Sequence, residues 1–264
     1  MPRDDYKIYI SIVSHNHGEL IKNLDCIKNL SQEFIVVIKN NCYDEVLLDY
    51  LKDSNAYLIN EEYNKGFGYN NNVVFSYCRL QLNMQPSDYF IVLNPDLVIK
   101  NSSIKELVNK MHCSNVKAAT INLYLDDKLH DYDYSVRHFP RLYDFILSLV
   151  LGKNKTKIDK SIITNPTEVD WCAGSFMALS SHVYQSIQGF DTGYFMYCED
   201  IDLCFRLKKK NIGIIYYPEI TGIHKAQHKN RSFFSKHFIW HVKSVFIFMF
   251  AKNGLIRNKS NICH

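Results

Sequence analysis

Short apolar runs and segments of helical period alternate along the first half of the chain. Residues 8–13 are almost continuously apolar and stop at Ser14-His-Asn-His-Gly18; residues 19–30 then carry apolar side chains at helical spacing. The same change of period recurs. A strand is expected at 34–38, ending in Lys39-Asn40-Asn41, then a helix at 44–52 and a strand at 56–60. A loop running into a helix follows at 66–83, a strand at 89–93 ending in Asn94-Pro95-Asp96, a helix at 102–112 with Ser102 or Ser103 as N-cap, and a strand at 116–123. This alternation predicts an α/β fold with a mostly parallel central sheet covered by helices on both faces. Ligands of such sheets bind beyond the carboxyl ends of the strands, so the polar clusters at 14–18, 39–44 and 94–96 are expected along one edge.

The second half is less regular. Residues 124–140 are polar and aromatic without a period and read as a long functional loop, 141–151 as an apolar helix, and 153–165 as a basic linker or flap. Strands at 169–179 and 213–217 flank a helix that begins near Glu199. No internal repeat is present. The pattern predicts one domain over residues 1–228, followed by a basic amphipathic helical tail at 229–264.

Charge sharpens that division. The net charge of +4 hides an asymmetry: no Asp or Glu follows Glu219, while eight Lys and Arg do, so the preceding part is mildly acidic. The tail interleaves cations with aromatics (Lys236, Phe238, Trp240, Lys243, Phe246, Phe248, Phe250, Lys252) and suits an anionic membrane surface or a docked helix. No nucleic-acid-binding fold accompanies the charge, so nucleic acid is not the expected partner. The most apolar stretch, 242–251, contains Lys243 and falls far below the roughly 20 residues of a membrane span. With a polar opening segment, these features predict a cytoplasmic protein, peripheral on the membrane. Eight cysteines without a Cys-x-x-Cys pair read as free thiols of a reducing compartment.

Several constellations carry candidate chemistry. Asp96, after an apolar strand, can hold a divalent cation against a diphosphate, because hard oxygen ligands suit Mg²⁺ and Mn²⁺; the simpler reading is an Asn-Pro turn. Asn64-Lys-Gly-Phe-Gly-Tyr-Asn-Asn-Asn72 joins close backbone approach at Gly66 to a helix start, and three consecutive Asn are unfavourable in a helix, which points to function. Glu199, Asp200 and Asp202 open a helix that closes with Lys208, Lys209 and Lys210. The macrodipole accounts for that polarity, and Asp202 and Arg206 form an i,i+4 pair. The preceding aromatic stretch, however, sets these acids beside an apolar wall, where burial raises a carboxylate pKa toward that of a useful base. Asp170-Trp-Cys-Ala-Gly-Ser175 combines a stacking Trp171 with small residues that leave room for a sugar, or is a tight core strand. His224 and His228 are candidate metal ligands, but no Cys spacing supports zinc.

In order, these segments resemble the family-2 inverting glycosyltransferases of GT-A fold. The match runs through Ile-Val-Ser-His-Asn16, Asn64-Lys-Gly-Phe-Gly, Leu93-Asn-Pro-Asp, Asp170-Trp-Cys-Ala-Gly-Ser and Gly189-Phe-Asp…Tyr-Phe-Met-Tyr-Cys-Glu-Asp-Ile-Asp-Leu-Cys-Phe-Arg206, covering residues 7–228. Asp133-Tyr-Ser-Val-Arg-His-Phe-Pro-Arg-Leu-Tyr-Asp-Phe145 and Ile223-His-Lys-Ala-Gln-His-Lys-Asn-Arg231 are similar, more narrowly, to rhamnosyltransferases of bacterial O-antigen assembly. The resemblance implies a donor site of Ser14, His15, Asn16, Asn40, Asn41, Gly66, Phe67, Asn72, Asn94 and Asp96. It implies a metal, Mg²⁺ or Mn²⁺, on Asp96 and His224 with His228 in reserve, and Asp200 as base with Glu199 beside it. Trp171, Gly174, Glu199 and Arg206 are expected at the acceptor. One departure stands out: the family usually ends its second strand in Asp-Asn, whereas this chain reads Lys39-Asn40-Asn41. The implied reaction moves rhamnose from dTDP-rhamnose to a polyprenyl-diphosphate-linked sugar such as N-acetylglucosamine. Another nucleotide sugar (galactofuranose, glucose or N-acetylglucosamine) or a non-catalytic nucleotide-binding scaffold stands as the alternative.

Overall fold

Runs of β-branched and aromatic residues between polar stops form the central strands. The computed structural model describes residues 6–145, 155–225 and 236–262. Strands β1 (Ile8–Ser14), β2 (Ile35–Asn40), β3 (Tyr57–Ile59) and β4 (Tyr89–Leu93) lie parallel in the order β3-β2-β1-β4. Helices α1 (Gly18–Leu24), α2 (Cys26–Glu33), α3 (Glu45–Leu51) and α4 (Phe67–Gln81) connect them. The expected single helix at 19–30 is two, because Asp25 adopts the left-handed conformation (φ 48°) that ends the first and opens the second. Asp44 fixes two helix starts at once: its carboxylate accepts from Gly18 N–H (2.8 Å) and from Leu47 N–H (3.1 Å).

After β4 come the short β5 (Leu97–Val98), α5 (Asn101–Cys113) and β6 (Ala118–Tyr124). The N-cap of α5 is Lys100, so neither Ser102 nor Ser103 takes the expected role. The strand expected at 169–179 is three pieces: β8 (Thr167–Val169), β9 (Trp171–Cys172) and β10 (Phe176–Ser180). Asp170 and Gly174-Ser175 interrupt it, and β9 leaves the main sheet to pair with β7 (Val136–Arg137) in a ribbon of its own. Helices α6 (Ser181–Ser186) and α7 (Glu199–Lys209) follow, then β11 (Ile214–His224). β11 runs well past the expected 217 across a register shift between Tyr217 and Thr221. The rest of the helix expected at 141–151 lies outside the described residues, as do His228 and the beginning of the tail.

β10 is antiparallel to both β4 and β6, and β6 pairs β11 in parallel. The carboxyl ends of β1, β2, β4, β6 and β11 and the amino end of β10 therefore meet along one edge. Two apolar clusters fill the two faces, one around Phe75, Phe90, Tyr184 and Phe190, the other around Ile10, Ile38, Ile91 and Phe176. Helix α8 (Lys236–Lys252) docks Val245 and Phe248 into the first cluster. All seven described cysteines are unpaired.

Asn72 ties these layers together. It is fully buried; its Nδ2 donates to Phe190 O (2.8 Å) and Asn261 Oδ1 (2.9 Å), and its Oδ1 accepts from Tyr184 OH (2.8 Å) and Phe190 N–H (2.9 Å). Asn72→Ala strands a buried hydroxyl and a buried amide. The expected loss is about 3 kcal/mol of stability, read as a lower urea midpoint at unchanged m-value.

Candidate active site

The turn after β4 brings the first acid to the edge. Asn94 N–H donates to Ser175 O (3.0 Å), Leu97 N–H to Asn94 O, and Lys225 N–H to Asp96 O (2.9 Å), so the turn is pinned between β10 and the end of β11. Asp96 Oδ1 is buried and lies 3.2 Å from His224 Nε2, an ion pair whose angle falls short of a well-formed hydrogen bond. His224 Nδ1 in turn lies 2.5 Å from Asp133 Oδ2. Burial alone would lower the imidazole pKa, but the flanking carboxylates of Asp133 and Asp96 outweigh it and raise it to about 9. Asp96 is also buried, which favours its neutral form, yet His224 holds its carboxyl below the ordinary value. Behind Asp133 lies Lys160, buried, with Nζ 3.1 Å from Ser135 Oγ; desolvation pushes its ammonium down to about 8.

A buried carboxylate oxygen and an imidazole nitrogen side by side, with the other ring nitrogen tied to a second carboxylate, fit a divalent cation that takes mixed O and N donors once the imidazole gives up its proton. Among the described residues no three His, Cys, Asp or Glu side chains gather into a complete metal cluster. Asp96 and His224 thus offer two donors only, a partial shell of the kind in which Mg²⁺ is usually held with water and phosphate as further ligands.

The second acid is hydrogen-bonded to the strand that anchors the first. Gly174 N–H donates to Asp200 Oδ2 (3.3 Å), and Ile201 N–H to Oδ1 (2.8 Å). Gly174 precedes Ser175, the residue that accepts from Asn94, so the Asp96 turn and Asp200 flank the same bend. Asp200 is half-buried and its carboxyl pKa is raised by desolvation, against the pull of those amides and of Arg137. Glu199 is buried with Oε2 unpaired, and burial together with the Asp200 charge raises it to about 8. Ser175 Oγ, also buried and unpaired, stands at the same bend.

On the β1–β2 side, three more buried polar atoms lack partners: Ser14 Oγ, Asn40 Oδ1 and Asn70 Oδ1. Ser14 and Asn40 face each other across the β1–β2 pair, and Asn41 and Asn70 both donate to Lys65 O. These atoms form a polar cradle at the end of the parallel strands. Lys39 does not enter it. Its buried Nζ donates to Asn40 O (2.9 Å) and Glu61 O (2.5 Å), locking the strand end and leaving the Asn40 side-chain oxygen bare.

Other expected site residues sit elsewhere. His15 and Asn16 are exposed at the rim, with Asn16 at φ 61°. The side chain of Asn41 is occupied on both atoms by the Lys65 backbone. Gly66 and Phe67 wedge α4 between two loops: Phe67 N–H donates to Phe195 O (3.0 Å), a Cβ on Gly66 would lie 2.5 Å from that oxygen, and a Cβ on Gly174 would lie 2.7 Å from the Phe67 ring. Asn72 is buried and fully hydrogen-bonded, away from the cradle. Trp171 is buried under the Arg137 guanidinium (5.6 Å), with its indole N–H on His138 O. Arg206 pairs with Asp202 (2.7 Å) and donates to Ile187 O, on the face of α7 opposite Asp200. Asp133, Arg137, Lys160 and Ser175 were not foreseen as site residues, although Asp133 and Arg137 lie in the aperiodic 124–140 segment.

Comparison with known proteins decides the family. Residues 34–244 match the model described as glycosyltransferase like family 2. The chain belongs to glycosyltransferase family 2. It is 41% identical over 256 residues to rhamnosyltransferase WbbL of Escherichia coli K12, covering 96% of both chains. It is also 30% identical over 169 residues, 61% of its length and 55% of the other's, to an N-acetylglucosaminyl-diphospho-decaprenol L-rhamnosyltransferase of Mycobacterium tuberculosis. Its fold matches the crystal structure of GalNAc-T7 with UDP, GalNAc and Mn²⁺, with a TM-score of 0.61 at 14% identity, over 92% of this chain and 48% of that one. This family-2 enzyme is therefore a glycosyltransferase of GT-A fold.

The buried Glu199 gives a pH signature. Its folded pKa is raised from 4.5 to about 8, so between those values the folded protein holds a proton that the unfolded chain has released. That contribution is fully present below 4.5 and is lost as pH rises through about 8. Glu199→Gln removes it. The variant is expected to gain stability relative to the parent as pH rises from 5 to 8, measured by urea unfolding at both ends.

Proposed function

We propose that this glycosyltransferase moves L-rhamnose from dTDP-rhamnose to a hydroxyl of a polyprenyl-diphosphate-linked N-acetylglucosamine, with inversion at the anomeric carbon. The observation that carries the reading is the pair of hydrogen bonds at one bend, Asn94 N–H to Ser175 O and Gly174 N–H to Asp200, which sets the Asp96–His224 pair and the Asp200 carboxylate on either side of it. The choice of rhamnose is supported by the two relatives named as rhamnosyltransferases, and the choice of acceptor by the printed name of the mycobacterial one.

In this reading Ser14 Oγ, Asn40 Oδ1 and Asn70 Oδ1 take the hydrogen-bonding groups of the donor nucleotide, whose binding supplies the partners these buried atoms lack. Asp96 and His224 would hold Mg²⁺ or Mn²⁺, which, when bound, neutralises charge on the departing diphosphate. Asp133 keeps the imidazole oriented by holding its Nδ1. Asp200 takes the proton of the acceptor hydroxyl. The freed oxygen forms its bond to the anomeric carbon as the bond from that carbon to the diphosphate breaks on the opposite face, releasing dTDP. The raised pKa of Asp200 strengthens it as a base, and Glu199, neutral below about 8, donates a hydrogen bond to the acceptor.

Labelled dTDP-rhamnose with a GlcNAc-diphospho-polyprenol acceptor should give transfer that chelator abolishes and Mg²⁺ or Mn²⁺ restores. Asp200→Asn should reduce turnover by about 10³-fold or more while leaving dTDP binding within a factor of two or so. Transfer from a different nucleotide sugar in preference to dTDP-rhamnose would overturn the donor assignment.

The acceptor lipid would be met at a membrane. No described helix is long and apolar enough to cross one. On α8, however, Ile239, Lys243, Phe246 and Phe250 follow one another at spacings of four, three and four and are all exposed. With no acid after Glu219, this stripe suits the headgroup region of an anionic bilayer on the cytoplasmic side. Vesicles containing phosphatidylglycerol should sediment the protein. Replacing Ile239, Phe246 and Phe250 together with Ser should weaken that partition by about tenfold or more.

A further inference from the structure

The opposite side of α8 faces the chemistry, and from it we infer that α8 and the chain after it are positioning elements for the catalytic carboxylates. The inference rests on the reading of Asp200 as base and goes beyond it by naming what holds that base in place.

The problem lies in the two residues before Glu199. Tyr197 and Cys198 both have left-handed backbones (φ 70° and 61°), unfavourable for side-chain-bearing residues. Cys198 is the N-cap of α7 and makes no side-chain cap hydrogen bond, so the helix start does not hold the turn by itself. Helix α8 supplies what is missing. Ser244 Oγ donates to Met196 O (2.8 Å), the Trp240 ring packs on Phe195 with centroids 4.6 Å apart, and Tyr197 OH lies 3.0 Å from His237 Nδ1. These contacts fall on residues 195, 196 and 197 in turn.

The far end of the same loop is clasped by the residues after α8. Thr192 N–H donates to Lys259 O (2.8 Å), Lys259 N–H to Asp191 Oδ1 (3.2 Å), and Ser260 Oγ to Gln188 O (2.7 Å). Ile262 is buried against Gly189, itself left-handed at φ 58°. The segment 188–198 is thus held at both ends by the last part of the described chain. If the contacts at 195–197 are lost, the Tyr197–Cys198 turn is free to relax toward ordinary backbone angles. The first turn of α7 then rotates, carrying Asp200 off the Gly174 amide, while Ser14 and Asn40 on β1 and β2 and the Asp96–His224 pair, built on other elements, stay in place.

The test uses the full chain with Trp240→Ala, Trp240→Phe and Ser244→Ala, and Asp200→Asn as reference. Trp240→Ala should lower kcat by about tenfold or more, since misplacement by about an ångström is enough for that. Calorimetric dTDP affinity and donor KM should hold within about twofold. Trp240→Phe, which keeps a ring on Phe195, should recover most of the rate. Ser244→Ala, a smaller change that keeps the fold, should show the same split more weakly. Amide hydrogen exchange over 195–201 should quicken in Trp240→Ala and Ser244→Ala and not in Asp200→Asn. Unchanged kcat and unchanged exchange overturn the inference, as does a fall in dTDP affinity that matches the fall in kcat. Turnover by Asp200→Asn would sink the assignment of the base itself. An inactive Asp200→Asn alongside unaltered exchange in the α8 variants defeats only the clasp.

Discussion

The amide of Gly174, donating to Asp200, and the carbonyl of Ser175, accepting from Asn94, are adjacent groups of one bend, and the site is assembled around them. The bend exists because β10 runs antiparallel between two strands that point the other way. Parallel strands bring only their carboxyl ends to the ligand edge. An antiparallel insertion brings an amino end, and with it peptide groups free to bind acids arriving from distant parts of the chain. Gly174 is required there because a Cβ would strike the Phe67 ring. The same wedge of α4 that excludes a side chain thus keeps the amide open to Asp200.

The two acidic centres are driven in opposite directions by their surroundings. At Asp96 an imidazole outweighs burial and keeps the carboxyl anionic. At Glu199 and Asp200 burial prevails and both carboxyls hold protons more tightly. Environments that push carboxylates apart in this way let one fold keep one carboxyl more acidic and others more basic at the same sheet edge. Arg137, stacked on Trp171, moderates the second centre by lowering the Asp200 carboxyl pKa against the pull of burial.

Much of this was legible in the sequence, where local chemistry is the cause. The strand at 89–93 and the converging polar stops follow from period and turn residues, and Asp96, Asp200 and His224 from ordered motifs. What escaped depends on tertiary placement. Nothing local separates Asn70, whose oxygen is left bare, from Asn72, whose oxygen is used twice. Trp171 in a small-residue context resembles a sugar platform, and only the ribbon of β7 and β9 shows it as packing. Asp133 lies in a segment with no period, so its meeting with His224 is set by β6 and β11, not by its neighbours in sequence; the same holds for Lys160, which is buried beside Ser135. The long reach of β11 was hidden by Pro218 and Glu219, which read as a strand end and are accommodated at the register shift.

The run Asn70-Asn71-Asn72 has a consequence for how this protein can change. Successive positions on a helix point about 100° apart, and here each amide has a separate destination: the cradle and Lys65, Ser11 of β1, and the Phe190 turn. Adding or deleting a single residue in the first turn of α4 would swing all three amides off their targets together. This one helical turn therefore acts as an index mark from which the Lys65 loop, the sheet and the acid loop all take their alignment.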